Sequence, residues 1–549
     1  MYRNLNKSRI KFLFIITVGL FVIFSARLIY FQWIKRDYYK GMAEKQYNYG
    51  EAISSLKYQV LSSDGKYLQS YYYDYVAVIN IRLFKLNNYE NNMDKLLTIN
   101  YIMKENIEDF DINSLLNGNS GNRYYLINAE SYEKLLPIVK KTKGIYVFKR
   151  EAIDNITNSN IVNILTNIKN SDDELKEMDS LERKLNSYME NNEFLQAMVQ
   201  VDKSGYIKQE GYKVPELPYV TLTINKELQD TIESVLRDEL FSKFKQIGAT
   251  IIEAETGKIR AMAQKDDYNV NINIAADQNG YPPGSTYKLM SAEYALENNL
   301  ISTETEYYCA GIDSCKGKSH GRVNMEKAIN LSCNSYFVDL GNEFTAEELK
   351  NFSMRQGYLD KVLNLDKETK GKVNSKYKYS LILGGSIDSS IIQVAASLSA
   401  IVNEGYYIKP MLIEDVTNNK GESVMTFPIK KEKVISKETA DIIKGYMRTT
   451  VINGTGASAN LEGVEIGGKT GTAEKPVESV DPITGETIKT NHEYGWFAGY
   501  FKKDSKYYTM VVMVPDINMI EDEGIEYQGS NTAGPVFREI LKRIKEMEF

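Results

Sequence analysis

The sequence predicts an α+β fold with a mostly antiparallel sheet, and three patterns predict it. Strand signals open and close the C-terminal part of the chain, in "GATIIEAETGKIRAMAQ" from Gly248 and "GWFAGYFKKDSKYYTMVVMVP" from Gly495. Helical spacing dominates between them. The last segment, "AGPVFREILKRIKEMEF", puts Phe537, Ile540, Leu541 and Ile544 on one helical face, suited to packing on a sheet. Strands grouped at both ends with helices between them suit an α+β arrangement rather than an alternating one. A chain of 549 residues is long for one domain, so two or three folded units are expected. With 43% hydrophobic and 26% charged residues it can bury a core. A net charge of −6, with no dense basic block, argues against a nucleic-acid role.

The N-terminus comes first in the chain order. "KFLFIITVGLFVIFSARLIYFQWIK" gives an apolar run from Phe12 to Ile34, broken only by small polar residues, Arg27 and Gln32. That length matches one bilayer crossing. Arg3, Lys7, Arg9 and Lys11 precede it with no acidic residue among them. Residues 1–11 are therefore expected to form a cytoplasmic tail and 12–34 a transmembrane anchor, with the rest of the chain outside the cell membrane. A cleaved signal peptide is the alternative. The length of the run, its Tyr30, Phe31 and Trp33 belt and the lack of an A-x-A site favour an anchor.

Residues 35–217 read as a non-catalytic support or dimerisation-type domain. Strand patterns between Glu51 and Val78 surround a turn at Asp64-Gly65. In "SDDELKEMDSLERKLNSYM" the spacing predicts a helix with a capping box at Ser171 and Glu174, followed by Met178, Leu181, Leu185 and Tyr188 on one face. "PELPYVTLTINKELQD" marks a boundary, so 218–549 is expected to be a second domain, with a helix from about Lys226.

Within that domain, "YPPGSTYKLMSAEYALENNL" places two prolines and a glycine before Ser285-x-x-Lys288. Leu289, Ala292 and Leu296 then repeat at helical spacing, so Ser285 and Lys288 would lie one turn apart. A partly desolvated lysine can take the proton that makes a serine nucleophilic. The motif is cheap by itself, since Ser63…Lys66, Ser131…Lys134 and Ser242…Lys245 share it. Two further motifs follow in order. "NLSCNSYF" gives Ser332-x-Asn334 after the helical "MEKAIN", and "VEIGGKTGTAEK" gives Lys469-Thr470-Gly471-Thr472 on an expected strand.

In this order, with "LTINKELQ", "TGKIRAMA", "PPGSTYK", "SCNSYF", "NGTGASA", "GGKTGTAE" and "GWFAGY", the sequence resembles the penicillin-binding proteins from Leu222 onward. The resemblance implies a class B member: a transmembrane helix, an elongated pedestal, and a transpeptidase domain with an antiparallel sheet, flanking helices and a helical subdomain. It implies a serine D,D-transpeptidase that cross-links peptidoglycan stem peptides ending in D-Ala-D-Ala. β-Lactams would acylate and inhibit such an enzyme. Ser285 would be the nucleophile and Lys288 its base. Ser332, helped by Lys469, would carry a proton to the leaving amine, and Asn334 would hold the substrate amide. Thr470 and Thr472 would hold the terminal carboxylate, and the backbone N–H groups of Ser285 and Thr472 would form the oxyanion hole. Gly471 would give substrate close access to the strand. The implied partner is a membrane glycosyltransferase that polymerises glycan strands, in division, elongation or spore formation. No cofactor is implied for catalysis.

Some positions depart from the pattern. "KYQVLSSDG" keeps Val60 and Gly65 of an N-terminal signature but has Lys57 in place of its arginine, and the segment from Leu383 to Gln393 lacks the family's usual residues. Two other classes stay open on the residues alone. One is a β-lactamase or D,D-carboxypeptidase on the same fold, distinguished by its deacylation. The other is a non-catalytic sensor of wall peptides or antibiotics.

Only three cysteines and two histidines occur, and three of these five fall in "CAGIDSCKGKSH". Cys309, Asp313, Cys315 and His320 offer thiolate, carboxylate and imidazole ligands for a structural zinc. A Cys309–Cys315 disulfide and two free thiols are the alternatives. Cys333 is expected to turn away from the catalytic pocket as a packing residue, and His492 to be an ordinary loop histidine.

Overall fold

The computed structural model describes the chain apart from residues 1, 53–57, 69–70, 88, 118–120, 154–159, 171–173, 190–195, 214–217, 277, 312–314, 316, 419, 481–486, 521 and 523. Two compact units follow contacts rather than chain order. The first comprises residues 1–56, 71–153 and 193–215, and the second 57–70, 154–192 and 216–549. The segments 57–70 and 154–192 therefore pack with the C-terminal unit, although they precede the boundary that the prolines near 217 suggest.

In the first unit, a helix spans Tyr2–Ile29 and continues as a wider turn over Tyr30–Ile34. Its stretch Lys7–Ile34 is long and apolar enough to cross a membrane, and none of it is buried. Two three-stranded antiparallel sheets follow. Tyr71–Asn80 runs between Asn122–Ile127 and Ile145–Ile153, and Gln196–Val201 between Asn48–Ala52 and Ile207–Lys213. The twofold strand period is visible in Tyr71–Asn80. Ala77 and Ile79 enter a core with the helices Tyr89–Lys104 and Ala129–Val139, while Val76 and Val78 pack with Val199, Val201 and Ile207.

The helix expected from Ser171 begins later, at Leu181, and runs to Met189. Ser171 lies outside the described residues, and Met178 is exposed ahead of the helix. The reason is a buried pair: Lys176 Nζ meets Glu182 Oε1 at 3.0 Å and the Ile164 carbonyl at 2.8 Å, which holds 176–180 in a turn that helix would unwind.

The second unit is built on a five-stranded antiparallel sheet of β1 (Gly248–Glu253), β2 (Ile259–Gln264), β3 (Ile466–Val480), β4 (Thr487–Lys503) and β5 (Lys506–Val514). The spatial order is β2-β1-β5-β4-β3, so β3 is an edge. β4 and β5 are joined at Asp504 and Ser505, both with positive φ, as a tight hairpin requires. One face of the sheet packs on two amphipathic helices, α1 (Lys226–Leu236) and a C-terminal one (Ala533–Ile544) whose Phe537 ring lies 4.6 Å from that of Phe497. The other face carries the helical middle. It contains α2 (Lys288–Glu297), α3 (Met325–Asn330), α4 (Asn334–Leu340), α5 (Ala346–Met354) and α6 (Lys437–Asn453). This is the α+β architecture that the strand and helix periods predict. His492 sits on β4 rather than in a loop, with Nδ1 2.5 Å from Asp516.

Candidate active site

Pro283 and Gly284 lead into a short 3-10 turn, Gly284–Tyr287, that becomes α2 at Lys288. The entry is tight for two reasons of backbone geometry. Gly284 has φ of +54°, and a Cβ on it would come 2.6 Å from the Thr472 carbonyl oxygen. A Cβ on Gly471 would come 2.6 Å from the Pro283 oxygen and 2.9 Å from Thr286 Cγ2. Gly471 therefore lets β3 lie against the serine-bearing turn itself, a second demand on this position beside the substrate access that the resemblance implies. The turn at Gly284, just before Ser285, thus lies directly against the strand at Thr472.

Lys288 is fully buried. Its Nζ donates to the Ser332 carbonyl at 2.8 Å, to Ser332 Oγ at 3.2 Å and to Asn334 Oδ1 at 2.5 Å. The structure thus joins Lys288 to the Ser332 motif and, among the described residues, forms no hydrogen bond from it to Ser285. Ser332 has φ of +55°, a left-handed conformation that costs a non-glycine residue about 1 kcal/mol. That conformation aims its carbonyl at the lysine. Burial lowers Lys288 to about 7, opposed by the nearby Cys333 and Cys315. Lys469, on β3 and also fully buried, is lowered well below the usual lysine range, first by burial and then by the charge of Lys288. Its Nζ donates to the Thr470 carbonyl at 3.1 Å.

The two threonines of β3 differ. Thr472 is exposed, and its Oγ1 accepts from the Gly529 N–H at 3.1 Å. Thr470 is largely buried and donates to Thr455 Oγ1 at 2.9 Å, so its hydroxyl serves the "NGTG" loop. The motifs alone do not single out Lys475, whose Nζ donates to the Gly280 carbonyl and to Asp388, both at 2.8 Å. It ties β3 to the segment that precedes Ser285. The only signal for it in the sequence is its place at the end of "GTAEK".

Behind the Ser332 motif lies a thiol cluster. Cys309 Sγ is 3.6 Å from Cys315 Sγ and 3.5 Å from His320 Nδ1, and Cys315 Sγ is 3.9 Å from Cys333 Sγ. The four ligand atoms lie within 4.8 Å of one another, and all three cysteines are free. Ser335 closes the group, with its Oγ 3.3 Å from Cys315 Sγ. Cys333 is buried, as a packing residue would be, and is also a member of this cluster. The left-handed turn at Ser332 is what rotates it there. Asp313 lies outside the described residues. Burial raises Cys333 to about 12; burial would also raise Cys309, but hydrogen bonds from its surroundings, led by Ser335, lower it.

Residues 247–542 match the family model for the penicillin binding protein transpeptidase domain. The chain belongs to this family. Stage V sporulation protein D of Bacillus subtilis is 27% identical over 356 residues, which cover 58% of this chain and 52% of that protein. The peptidoglycan D,D-transpeptidase FtsI homolog of Mesostigma viride is 26% identical over 384 residues, 59% of this chain and 61% of that one. The chain thus spans between half and two thirds of the length of these relatives. Among solved structures, a peptidoglycan synthetase from Bifidobacterium adolescentis aligns over 90% of this chain and 95% of its own, with a TM-score of 0.59 and 17% identity, a likeness of fold.

Proposed function

We propose that this penicillin-binding protein is a membrane-anchored serine D,D-transpeptidase of peptidoglycan. The observation that carries the reading is a buried lysine, lowered to about 7 and bonded to Ser332 and Asn334, one turn from Ser285. Ser285 Oγ attacks the carbonyl of the penultimate D-alanine, and its proton passes to Lys288. The C–N bond to the terminal D-alanine breaks, and Ser332 delivers a proton to the leaving amine. An acceptor amine then takes the acyl group from Ser285. Thr472 and Lys469 hold the carboxylate of the donor peptide, and Asn334 its amide. The two lysines cannot both be charged cheaply, because burial lowers each and the charge of Lys288 lowers Lys469 further. A carboxylate arriving beside Lys469 restores that one's charge and keeps Lys288 neutral, the form a base requires. The apolar N-terminal helix anchors the chain, and with the first unit it contacts a glycan-polymerising partner in the membrane.

The test is intact mass of the full chain in detergent micelles after penicillin, followed over time beside Ser285→Ala. A lasting adduct on Ser285, absent from the variant, supports the reading. Rapid loss of the adduct points to a β-lactamase, and no adduct on folded protein to a binding module.

The second part of the proposal is a structural zinc held by Cys309, Cys315, Cys333 and His320. A tetrahedral zinc with about 2.3 Å bonds to sulfur and about 2.0 Å to nitrogen places its ligand atoms roughly 3.5–3.8 Å apart. The distances in the cluster support that fit. Such an ion would brace the loop behind Ser332 and supplies no step of the reaction. Native mass spectrometry should find one zinc per chain, lost in Cys309→Ser and in Cys333→Ser alike. Retention in Cys333→Ser would exclude this ligand set.

A further inference from the structure

Glu293 lies five residues beyond Lys288 on α2, and the acyl-transfer chemistry gives it no task. It is only 2% exposed. Its Oε2 accepts a hydrogen bond from Gln356 Nε2 at 2.9 Å, in the turn that follows α5. The other end of that amide is the informative atom. Gln356 Oε1 is buried and has no hydrogen-bond partner among the described residues. A buried carbonyl left without a donor costs about 1–3 kcal/mol, and a carboxylate cannot relieve it because it only accepts. A neutral carboxylic acid carries one O–H, the donor that Gln356 lacks. Acid and amide can then bond reciprocally through two parallel hydrogen bonds.

The surroundings agree with a neutral acid. Burial, joined by the charge of Glu297 one turn along α2, pushes Glu293 up to about 8, against the opposing pull of the Gln356 hydrogen bond. Besides Glu297, the titratable group facing it is Tyr358, whose phenol a charge on Glu293 would press upward. The side chains that α3, α5 and α6 bury are uncharged, and α4 contributes only the Tyr336 phenol besides Phe337 and Leu340. Gln356 is itself anchored, its N–H donating to the Ser353 carbonyl at 3.0 Å.

We infer that Glu293 is a protonated acid in the folded protein, paired reciprocally with Gln356, and that this pair is a positioning element. It fixes α2, and with it Ser285 and Lys288, against the α5 turn. The positioning half of the inference rests on the acyl-transfer reading, whereas the protonation half does not. Ionisation of Glu293 would leave two acceptors facing each other in the core and release that end of α2.

The experiment compares the full chain in detergent micelles with Glu293→Gln, which is neutral at every pH and can still pair with Gln356. Infrared difference spectra should show a protonated carboxyl band at pH 7 that the variant lacks, titrating near pH 8. Urea unfolding gives the second readout. The unfolded chain releases this proton near the ordinary 4.5 and the folded chain near 8. Relative to the variant, wild-type folding should therefore weaken by up to about tenfold per pH unit across that window and level off above it. Penicillin acylation gives the third, with the wild-type rate falling below that of the variant as pH passes 8. Equal slopes and no missing band would overturn the protonated state. A band and slope with identical acylation profiles would overturn the positioning role. No acylation of either protein at any pH would overturn the acyl-transfer reading and the positioning role with it, while band and slope still decide the protonation.

Discussion

Gly471→Ala is the sharpest perturbation of the contact between β3 and the serine-bearing turn. The new methyl carbon would stand 2.6 Å from the Pro283 oxygen, 2.9 Å from Thr286 Cγ2 and 3.2 Å from Trp496 Cβ. An ordinary carbon–oxygen contact is no closer than about 3.3 Å. Turn and strand must therefore separate by roughly 0.7 Å, and the nearest obstacle is backbone, which no rotamer change can clear. Overpacking of this kind costs about 1–3 kcal/mol. On the acyl-transfer reading the functional cost is larger, because the movement separates the Ser285 turn from Thr472, whose N–H groups would share one oxyanion. A misplacement near 1 Å slows a positioned reaction by about 100-fold, so acylation by a fluorescent penicillin should slow 10- to 100-fold. Melting of the same protein should fall by several degrees. Gly445→Ala is the control. That glycine lies within α6 with nothing within 4 Å of a built Cβ, and alanine there should leave acylation unchanged and stabilise by about 0.5–1 kcal/mol. Wild-type acylation and melting in Gly471→Ala would refute the argument, because the strand would then not depend on that approach.

Three further outcomes can be measured on the same protein. If the neutral form of Lys288 is the base, acylation should rise with pH through about 7 and then level, and a rate flat from pH 6 to 8.5 would exclude it. The same lowering means that the unfolded chain binds this proton more tightly between about 7 and the usual lysine range. Burying Lys288 therefore costs stability most below pH 7, and Lys288→Met should stabilise the fold more at pH 6 than at pH 9, as read by urea unfolding. Lys176→Met leaves the Glu182 carboxylate buried without its 3.0 Å partner and should lower stability by about 3–5 kcal/mol, with Lys176→Met/Glu182→Leu closer to wild type; a single variant that unfolds at the wild-type urea concentration would show that the pair is not held dry.

Much of the second unit is legible because its periods are local. Phe537, Ile540, Leu541 and Ile544 declare a helix face within eight residues, and the run "GATIIE" declares a strand buried on both faces. The motifs at Ser285, Ser332 and Lys469 are legible for the same reason. What a motif does not contain is the direction of each side chain. Nothing in Lys469-Thr470-Gly471-Thr472 tells that Thr470 serves Thr455 while Thr472 stays open, since that depends on a loop 15 residues away. Lys288 meets Ser332 rather than Ser285 because the partner is brought in 44 residues later in the chain. The helix start at Leu181 was hidden by a salt bridge that no local propensity records. Glu293 reads as one more polar residue of an amphipathic helix until Gln356 is placed against it.

The segment Ser332–Ser335 shows how one backbone choice can couple two clusters. In an ordinary extended strand, Ser332 and Asn334 would share a face and Cys333 would take the other, a pattern the sequence does suggest. The left-handed Ser332 adds something the alternation does not. It bends the chain so that the Ser332 carbonyl, and not only the hydroxyl, reaches Lys288 at 2.8 Å, while α4 begins immediately at Asn334. Cys333 and Ser335 then fall on the thiol side, at 3.9 Å and 3.3 Å from Cys315 Sγ. The carbonyl that holds Lys288 and the Cys333 backbone belong to one peptide plane, which has no soft torsion within it. A rearrangement that shifts the Cys333 N–Cα unit therefore turns that carbonyl with it, whereas rotation of the thiol about χ1 leaves it in place, and the strain at Ser332 is borne because contacts on both sides hold the plane.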